Sequence, residues 1–233
     1  MPEVDALVGH RRDDLGVEWR TPCSNPAWLT VILPARLGAD EDTPVEVVRC
    51  AGMLAGLDGA TGELLWEVRH DQPTNRTRVG PTVAVLQDDV AGITVIDLAT
   101  GEVLGSTTLF GSANVAVDAR YLYVSDSWRV VAFDLAAMAT VDRLGEPIEV
   151  ANSGASGLYA ARGSLFVRSN DHVVSRYDKP GKEAVWRSVR DPDRLAWSDF
   201  VGSTEEAVLL VSTTLDVLTA YDIETGEWLW RRS

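Results

Sequence analysis

One pattern of apolar and polar positions recurs along the chain. Each copy is a short apolar run that ends in aspartate, then a turn, then a second apolar run, and the clearest copies span 53–66 and 217–230. Runs rich in Val, Ile, Leu and Tyr favour strands, and a turn glycine supplies positive φ cheaply. Each copy therefore predicts a β-hairpin. The five aspartates, spaced 37 to 44 residues apart, are Asp58, Asp97, Asp134, Asp178 and Asp222.

Two further strands are predicted before each hairpin. In the third to fifth copies they are 114–117 with 121–125, 157–160 with 165–168, and 199–202 with 207–212. In the second copy they are 82–86 and 90–96, and its middle strands are expected to be shortened or fused. In the first copy they are 28–33 and 45–49, around an acidic loop at 34–44 that we interpret as solvated rather than metal-binding.

A period near 40 residues with four strands per unit is typical of a β-propeller blade. The apolar runs are nearly continuous, which indicates strands covered on both faces. The predicted fold class is all-β, with about five four-stranded antiparallel blades. The predicted organisation is an N-terminal arm at 1–16 and a propeller at 17–233, with blades at about 17–70, 80–108, 112–145, 156–190 and 197–233.

The motif Asp-x-x-Thr-Gly-Glu followed by Trp resembles the pyrroloquinoline quinone (PQQ)-like β-propeller repeat. That superfamily includes the quinoprotein alcohol dehydrogenases and the BamB-type outer-membrane assembly lipoproteins. The best matches are 58–66 and 222–230, and the resemblance covers about 17–233. It implies that a Trp eight residues after the aspartate, found as Trp66, Trp186 and Trp230, docks between adjacent blades.

Some positions depart from the repeat. Gly105 and Asp142 stand where the second and third units would carry the Trp, and Met138 replaces the third turn glycine. In the fourth turn, Pro180 is present and Gly181 comes one position early. The row of docking tryptophans is therefore expected to be incomplete, with less regular packing of blades two and three.

The number of blades leaves the closure of the propeller open. The resemblance implies rings of six to eight blades, whereas this sequence has room for five plus 17–20, which is predicted as the outer strand of a preceding blade. The alternatives are a closed five-bladed ring, an open arc and a fragment of a longer chain. An incomplete or strained ring is favoured over a regular one.

Composition narrows the functional classes. The chain has 233 residues, 45% of them hydrophobic, and no apolar run long enough for a transmembrane helix. Its formal net charge of −14 disfavours binding to nucleic acid or to an anionic membrane.

The first twelve residues lack the pattern of a secretory signal, so we expect a cytoplasmic protein in this form, or a periplasmic or extracellular one if a leader was removed.

The resemblance implies a PQQ enzyme only if the family's site residues are present. That site uses a disulfide between adjacent cysteines and a calcium ion held by Glu and Asn, but Cys23 and Cys50 lie 27 residues apart and no calcium ligands match. No catalytic, cofactor-binding or metal residue is therefore assigned, and no cofactor is expected. Cys23 and Cys50 lie at one end of the predicted first blade, where two separate thiols are favoured over a disulfide.

Other chemically interesting residues favour structural interpretations. The histidines lie in different units without metal-ligand spacing, and the paired acids indicate turns. One glycosylation sequon is present, but such sequons arise easily by chance. Three aromatic residues could anchor a partner at the rim, although packing in the core is favoured. These groups are His10, His70 and His172; Asp88-Asp89 and 191–193; Asn75 to Thr77; and Trp128, Trp197 and Phe200.

The sequence leads to one main functional hypothesis and two alternatives. The main hypothesis is a non-enzymatic scaffold whose rim loops bind a protein or a small ligand, because the structural repeat is complete and no catalytic cluster accompanies it. The alternatives are a cofactor-binding or quinoprotein-dehydrogenase-like enzyme that uses the central channel, and a truncated domain without its own function. If the chain forms an open arc, its exposed sheet faces and strand edges also favour self-association.

Overall fold

The computed structural model describes most of the chain, and every structural statement below refers to the described residues. These residues form twenty-one strands and one four-residue helix. The described ranges are 6–10, 17–22, 45–50, 53–69, 74–88, 92–107, 114–125, 128–138, 148–151, 155–178, 183–190, 198–212 and 215–233.

The strands divide into two compact units, which the sequence did not predict. Unit 1 comprises Met1–Leu109 and Met138–Arg143, and unit 2 comprises Phe110–Ala137 and Leu144–Ser233. A blade packs on its neighbours in the chain, so groups of successive blades form compact bodies.

Unit 1 contains three antiparallel sheets. Sheet A consists of β1 (Ala6–His10) and β2 (Val17–Pro22). Sheet B consists of β3 (Val45–Cys50), β4 (Met53–Asp58) and β5 (Leu64–Arg69). Sheet C consists of β6 (Thr74–Val79), β7 (Val83–Asp88), β8 (Ile93–Asp97) and β9 (Val103–Thr107).

Unit 2 contains three four-stranded antiparallel sheets. Sheet D consists of β10 (Asn114–Val117), β11 (Tyr121–Ser125), β12 (Val130–Asp134) and β13 (Ile148–Ala151), with α1 (Leu135–Met138) after β12. Sheet E consists of β14 (Ala155–Ala161), β15 (Ser164–Ser169), β16 (Val174–Tyr177) and β17 (Trp186–Arg187). Sheet F consists of β18 (Ser198–Ser203), β19 (Ala207–Ser212), β20 (Val217–Asp222) and β21 (Trp228–Arg232).

Strand order within every sheet follows chain order, as in a propeller blade. The predicted all-β fold of antiparallel blades is confirmed, and sheets C to F each have four strands. The prediction of shortened or fused strands in the second unit is wrong, because sheet C has four strands of five or six residues. Its first strand, β6, reads Thr-Asn-Arg-Thr-Arg-Val and carries almost no apolar signal.

The structure describes the predicted organisation of residues 1–44 only in part. The segment predicted as an N-terminal arm, 1–16, contains β1, which pairs antiparallel with β2. The strand predicted at 28–33 and the acidic loop at 34–44 lie outside the described residues.

Three of the five repeat turns share one hydrogen-bond network, in 58–63, 97–102 and 222–227. The aspartate Oδ1 accepts bonds of 2.7 to 2.9 Å from the backbone N–H groups two and three residues on, and one of 3.0 or 3.1 Å from a threonine hydroxyl. The glycine four residues after the aspartate has φ between 70° and 74°. The hydrogen bonds from Thr61 and Thr225 lower the pKa of Asp58 and Asp222 below the ordinary value. The repeat motif is therefore a turn motif with a defined geometry.

The other two repeat aspartates have different partners. Asp134 accepts a bond of 3.0 Å from the N–H of Ala136 at the start of α1, which replaces the glycine turn. Asp178 accepts bonds from Arg176 Nε at 2.6 Å and from Ser164 Oγ at 2.9 Å. The departures noted in the sequence thus coincide with departures in turn structure.

Two tryptophans join neighbouring blades within their own units. Trp66 of sheet B donates its indole N–H to the Leu98 carbonyl of sheet C at 2.7 Å, and Trp186 of sheet E donates to the Ile223 carbonyl of sheet F at 3.0 Å. Each acceptor is the residue directly after a repeat aspartate. The predicted docking of the repeat tryptophan between adjacent blades is confirmed at these two positions.

The turn glycine of the next blade supports each tryptophan joint. A Cβ added at Gly101 would lie 2.8 Å from Trp66, and one added at Gly226 would lie 2.3 Å from Trp186. The indole therefore packs directly on a bare backbone. Two features of Gly101 and Gly226 therefore favour glycine: the positive φ and the contact with the indole.

An ion pair reinforces the joint between sheets E and F. Arg176 Nη1 donates to the Ile223 carbonyl at 2.8 Å and to the Glu224 carboxylate at 2.7 Å. Burial opposes the charged form of Arg176, but the bonds to Glu224 and Asp178 outweigh it and raise the arginine pKa. The Ile223 carbonyl thus receives hydrogen bonds from two side chains of the preceding blade.

Candidate functional site

The two ends of unit 2 can be told apart from its hydrogen bonds. Where the first strands of sheets D and E begin, Asn114 Nδ2 donates to the Ala155 carbonyl at 2.9 Å. Near the turns that follow the first strands of sheets E and F, Arg162 Nη1 donates to the Glu205 carbonyl at 3.3 Å. The first strands β10, β14 and β18 therefore run side by side in the same direction, and their starting ends lie together.

We call the end where these strands start the Trp128 end. Its described loop residues are 128–129, 170–173, 188–190 and 215–216. The opposite end contains 118–120, 162–163, 183–185 and 204–206. Two backbone bonds fix the segments around β17, since Ser188 bonds to Val174 at the first end and Val185 bonds to Arg176 towards the second.

A layer of buried serines lies beneath the loops of the Trp128 end. In each sheet of unit 2, the last residue of the second strand is a serine, and all three are at least nine-tenths buried. Each pairs with the first residue of its sheet. Such repeated polar positions in a sheet core need internal hydrogen bonds. The three serines are Ser125, Ser169 and Ser212.

The middle sheet carries a bulge at this layer. Ala155 pairs with Ser169 and Gly157 with Arg168, so Ser156 is the extra residue of β14. Its hydroxyl donates to the carbonyls of Arg168 and Ser169, at 3.1 and 3.2 Å. Bulges redirect side chains and backbone groups, and they occur often beside functional sites. Here the bulge turns the Ser156 carbonyl towards a buried arginine.

That arginine, Arg168, is only 7% exposed. Its Nη2 donates to the Ser156 carbonyl at 3.0 Å and lies 4.0 Å from Asp199 Oδ1 on the next blade. Its Nε is buried and has no hydrogen-bond partner within the described part of the chain. Burial lowers the pKa of Arg168, and the attraction of Asp199 opposes this only in part. Unit 2 therefore holds a buried cation that is incompletely neutralised.

Exposed apolar side chains surround the same end. Trp128 is 80% exposed and Val189 is 86% exposed, and Leu215 is also exposed. Isolated exposed aliphatic residues are ordinary, but an exposed Trp is typical of binding surfaces. A polar layer with a buried cation beneath exposed apolar side chains is suited to binding another molecule.

The structure corrects one interpretation of the aromatic residues and supports another. Packing in the core was favoured for Trp128, and this is wrong, because the residue lies in the loop before β12 rather than on a strand. Phe200 does pack, since its ring stacks on Tyr159 with centroids 5.9 Å apart. Trp197 lies outside the described residues.

His172 is the histidine whose surroundings are described. It occupies the turn before β16 with a φ of 63°, and its Nδ1 is buried without a partner among the described residues. No group of three His, Cys, Asp or Glu that could hold a metal occurs in the described ranges. No helix within them is long and apolar enough to span a membrane.

The remaining sequence candidates are placed only in part. Asn75 to Thr77 fall in β6, Asp88 ends β7, His10 ends β1 and Cys50 ends β3, with side chains outside the described set. The choice between free thiols and a Cys23–Cys50 disulfide stays a prediction. Positions wholly outside the described residues are Cys23, 40–42, His70, Asp89 and 191–193.

Arg168 and the serine layer were not predicted from the sequence. A signal was present, because the second strands of sheets D, E and F end in Val-Ser, Arg-Ser and Val-Ser. The recurrence of serine at a strand end was hidden by the stronger apolar pattern. The bulge at Ser156 has no signature in the pattern at all.

The blades, their turns and their tryptophan joints define a β-propeller protein with PQQ-like repeats. The family model described as "Outer membrane protein assembly factor BamB" matches residues 12–188 and 170–233, and the chain belongs to this family. No curated protein matches the chain in sequence.

Solved structures agree on the fold. BamB from Moraxella catarrhalis is 14% identical with a TM-score of 0.59, over 99% of this chain and 68% of that one. Dihydro-heme d1 dehydrogenase NirN in complex with DHE is 19% identical with a TM-score of 0.60, over 85% of this chain and 46% of that one. KlHsv2 with loop 6CD replaced by a Gly-Ser linker is 8% identical with a TM-score of 0.63, over 98% and 78%.

Proposed function

We propose that the chain is a non-enzymatic scaffold that binds another protein through the Trp128 end of unit 2. The observation that carries the proposal is the combination, at one end, of an 80%-exposed Trp with the buried and incompletely neutralised Arg168. Interface hot spots are enriched in Trp and Arg. At the opposite end of the same sheets, the turns after β10 and β18 are closed by hydrogen bonds to Asp118 and Thr204.

The fold supports this role physically. The strands beneath the Trp128 end are held by blade-to-blade contacts, so the loops sit on a rigid support and lose little freedom on binding. The family description names an assembly factor, which fits a protein that acts by contact rather than by chemistry. The cofactor-binding alternative has no residue assigned to it among those described.

Two further expectations follow the proposal. The sequence left the cellular compartment open, and the family description favours a compartment outside the cytoplasm. Self-association through exposed edges would use different parts of the molecule, such as β21 with its half-exposed Trp228 and Leu229.

Capture of partner proteins from an extract of the source cells tests the proposal. Val189 and Val185 are exposed valines at opposite ends of the short strand β17. Val189→Ser, combined with Trp128→Ser, is expected to reduce recovery of a specific partner at least about tenfold, which corresponds to a loss of about 1.4 kcal/mol. Val185→Ser serves as the matched control and should leave recovery unchanged. Equal loss from both variants, or from neither, would refute the proposed surface.

A further inference from the structure

We propose that Arg168 is the receptor for one carboxylate group of the protein partner, an aspartate or glutamate side chain that docks at the Trp128 end. This proposal rests on the proposed function and specifies the chemistry of its partner. The charge of Arg168 is neutralised only in part by its own chain, at a distance of 4.0 Å from Asp199.

The guanidinium of Arg168 has few hydrogen-bond acceptors among the described residues of its own chain. It carries five N–H donors. Among the described residues it donates to one carbonyl, that of Ser156, and its buried Nε has no acceptor. A buried charge is costly unless it is paired and hydrogen-bonded. An anion from outside would supply both the charge and the missing acceptors.

Asp199 does not fill this role. Its nearest oxygen is 4.0 Å from Arg168 Nη2, which is the outer limit for an ion pair, and its side chain is 72% exposed. A carboxylate so well solvated gains little from the pair. Asp199 instead shows on which side the guanidinium approaches solvent. Its exposed carboxylate on sheet F lies next to the buried guanidinium on sheet E.

The position of the guanidinium is fixed before any ligand arrives. The Ser156 carbonyl at the bulge accepts a hydrogen bond from Nη2, and the Phe200 ring, which stacks on Tyr159, lies beside Gly157. A Cβ added at Gly157 would lie 3.5 Å from both Arg168 Nε and the Phe200 ring. An arginine that is already oriented loses little side-chain entropy on binding.

The surroundings favour a carboxylate over a phosphate. Asp199 lies beside the guanidinium, and Asp171, bonded to Ser169 Oγ, lies in the next turn of the same end. These two negative charges repel a dianion about twice as strongly as a monoanion. The formal charge of −14 adds to that repulsion at long range. A single planar carboxylate also matches the fork of one guanidinium.

Nuclear magnetic resonance of the arginine Nε–H groups tests the receptor, with sodium acetate as the probe. The Arg168 signal is expected to shift saturably with acetate, with half-saturation in the millimolar range, and to stay in place with acetamide. The internal control is Arg176, whose Nε is already bonded to Asp178, and its signal should stay in place. Arg168→Met identifies the signal by removing it.

Asp199→Asn keeps the shape of the side chain and removes its charge. It is expected to strengthen acetate binding about fivefold, because the carboxylate of Asp199 lies beside the guanidinium and repels a bound anion. Three results would overturn the proposal that Arg168 binds a carboxylate. The Arg168 signal could stay in place with acetate, as the Arg176 signal does, or shift equally with acetamide. It could also respond less to acetate in Asp199→Asn than in the unchanged chain.

The partner capture described above tests whether a protein uses the receptor. Arg168→Met is expected to lose the partner as fully as the Trp128 and Val189 substitutions do, and Asp199→Asn to retain it. Capture that is unchanged in Arg168→Met would overturn the assignment to a protein carboxylate. If the wild-type chain captures no partner, the proposed function fails, whereas the acetate titration still decides whether Arg168 is a carboxylate receptor.

Discussion

Replacing Trp186 by alanine is expected to lower the free energy of unfolding by about 3–5 kcal/mol. Trp186 is 9% exposed and joins sheet E to sheet F. The substitution removes the packing of the indole on Gly226 and Phe166, and leaves the Ile223 carbonyl with the hydrogen bond from Arg176 alone of the two described. Urea unfolding measures the change, and an unaltered slope would show that the denatured state is unaffected.

Trp228→Ala is the control for this substitution. Trp228 lies on β21 of the neighbouring sheet and is 45% exposed, so its loss is expected to lower the free energy of unfolding by less than half as much. Equal losses from the two substitutions would contradict the claim that the repeat tryptophan is the joint between blades.

The second large effect is expected from Gly226→Ala. The φ of Gly226 is 73°, and its new Cβ would lie 2.3 Å from the Trp186 ring. The alanine would add left-handed backbone strain of about 1 kcal/mol to a clash that costs about 1–3 kcal/mol more. The expected loss in the free energy of unfolding is therefore about 2–4 kcal/mol, measured by the same urea unfolding.

Gly163→Ala separates the two contributions to that loss. Gly163 has the same φ of 73°, but a Cβ there meets nothing within 4 Å. It is expected to cost only the backbone strain, about 1 kcal/mol. In the double variant Trp186→Ala with Gly226→Ala, the clash is absent. Its loss in the free energy of unfolding should therefore be smaller than the sum of the losses in the two single variants. Additive losses, or equal losses at the two glycines, would show that the indole does not rest on the turn.

The hairpins and turns could be predicted because short-range chemistry determines them. Thr225 and Gly226 both donate hydrogen bonds to Asp222 within one turn, so the motif itself specifies the geometry. The strand β6 could not be predicted, because its polar residues gave no apolar pattern to detect. Pattern reasoning finds strands through burial, and it fails where a strand is built from threonine and arginine.

The candidate site depends on contacts between residues that lie far apart in the sequence, so it could not be predicted from local patterns. Arg168 lies 12 residues from Ser156 and 31 from Asp199, on three different strands. Its burial follows from the bulge in β14 and from the neighbouring blade, neither of which leaves a pattern in the sequence. Trp128 was recognised as a candidate anchor from its type and its position near a turn. The sequence did not determine whether its side chain packs inward, and the structure shows that it is 80% exposed.

The most direct test of the central claim, that unit 2 binds a protein through its Trp128 end, is site-specific photo-crosslinking at the two ends of sheet D. A photoreactive phenylalanine analogue would replace either Trp128 or Ala119, two exposed positions at opposite ends of the same sheet. In the source cells, the analogue at position 128 is expected to form a crosslink to a discrete partner protein, and the analogue at 119 is not. A partner crosslinked from 119 and not from 128 would contradict the account, as would the absence of any protein crosslink from 128.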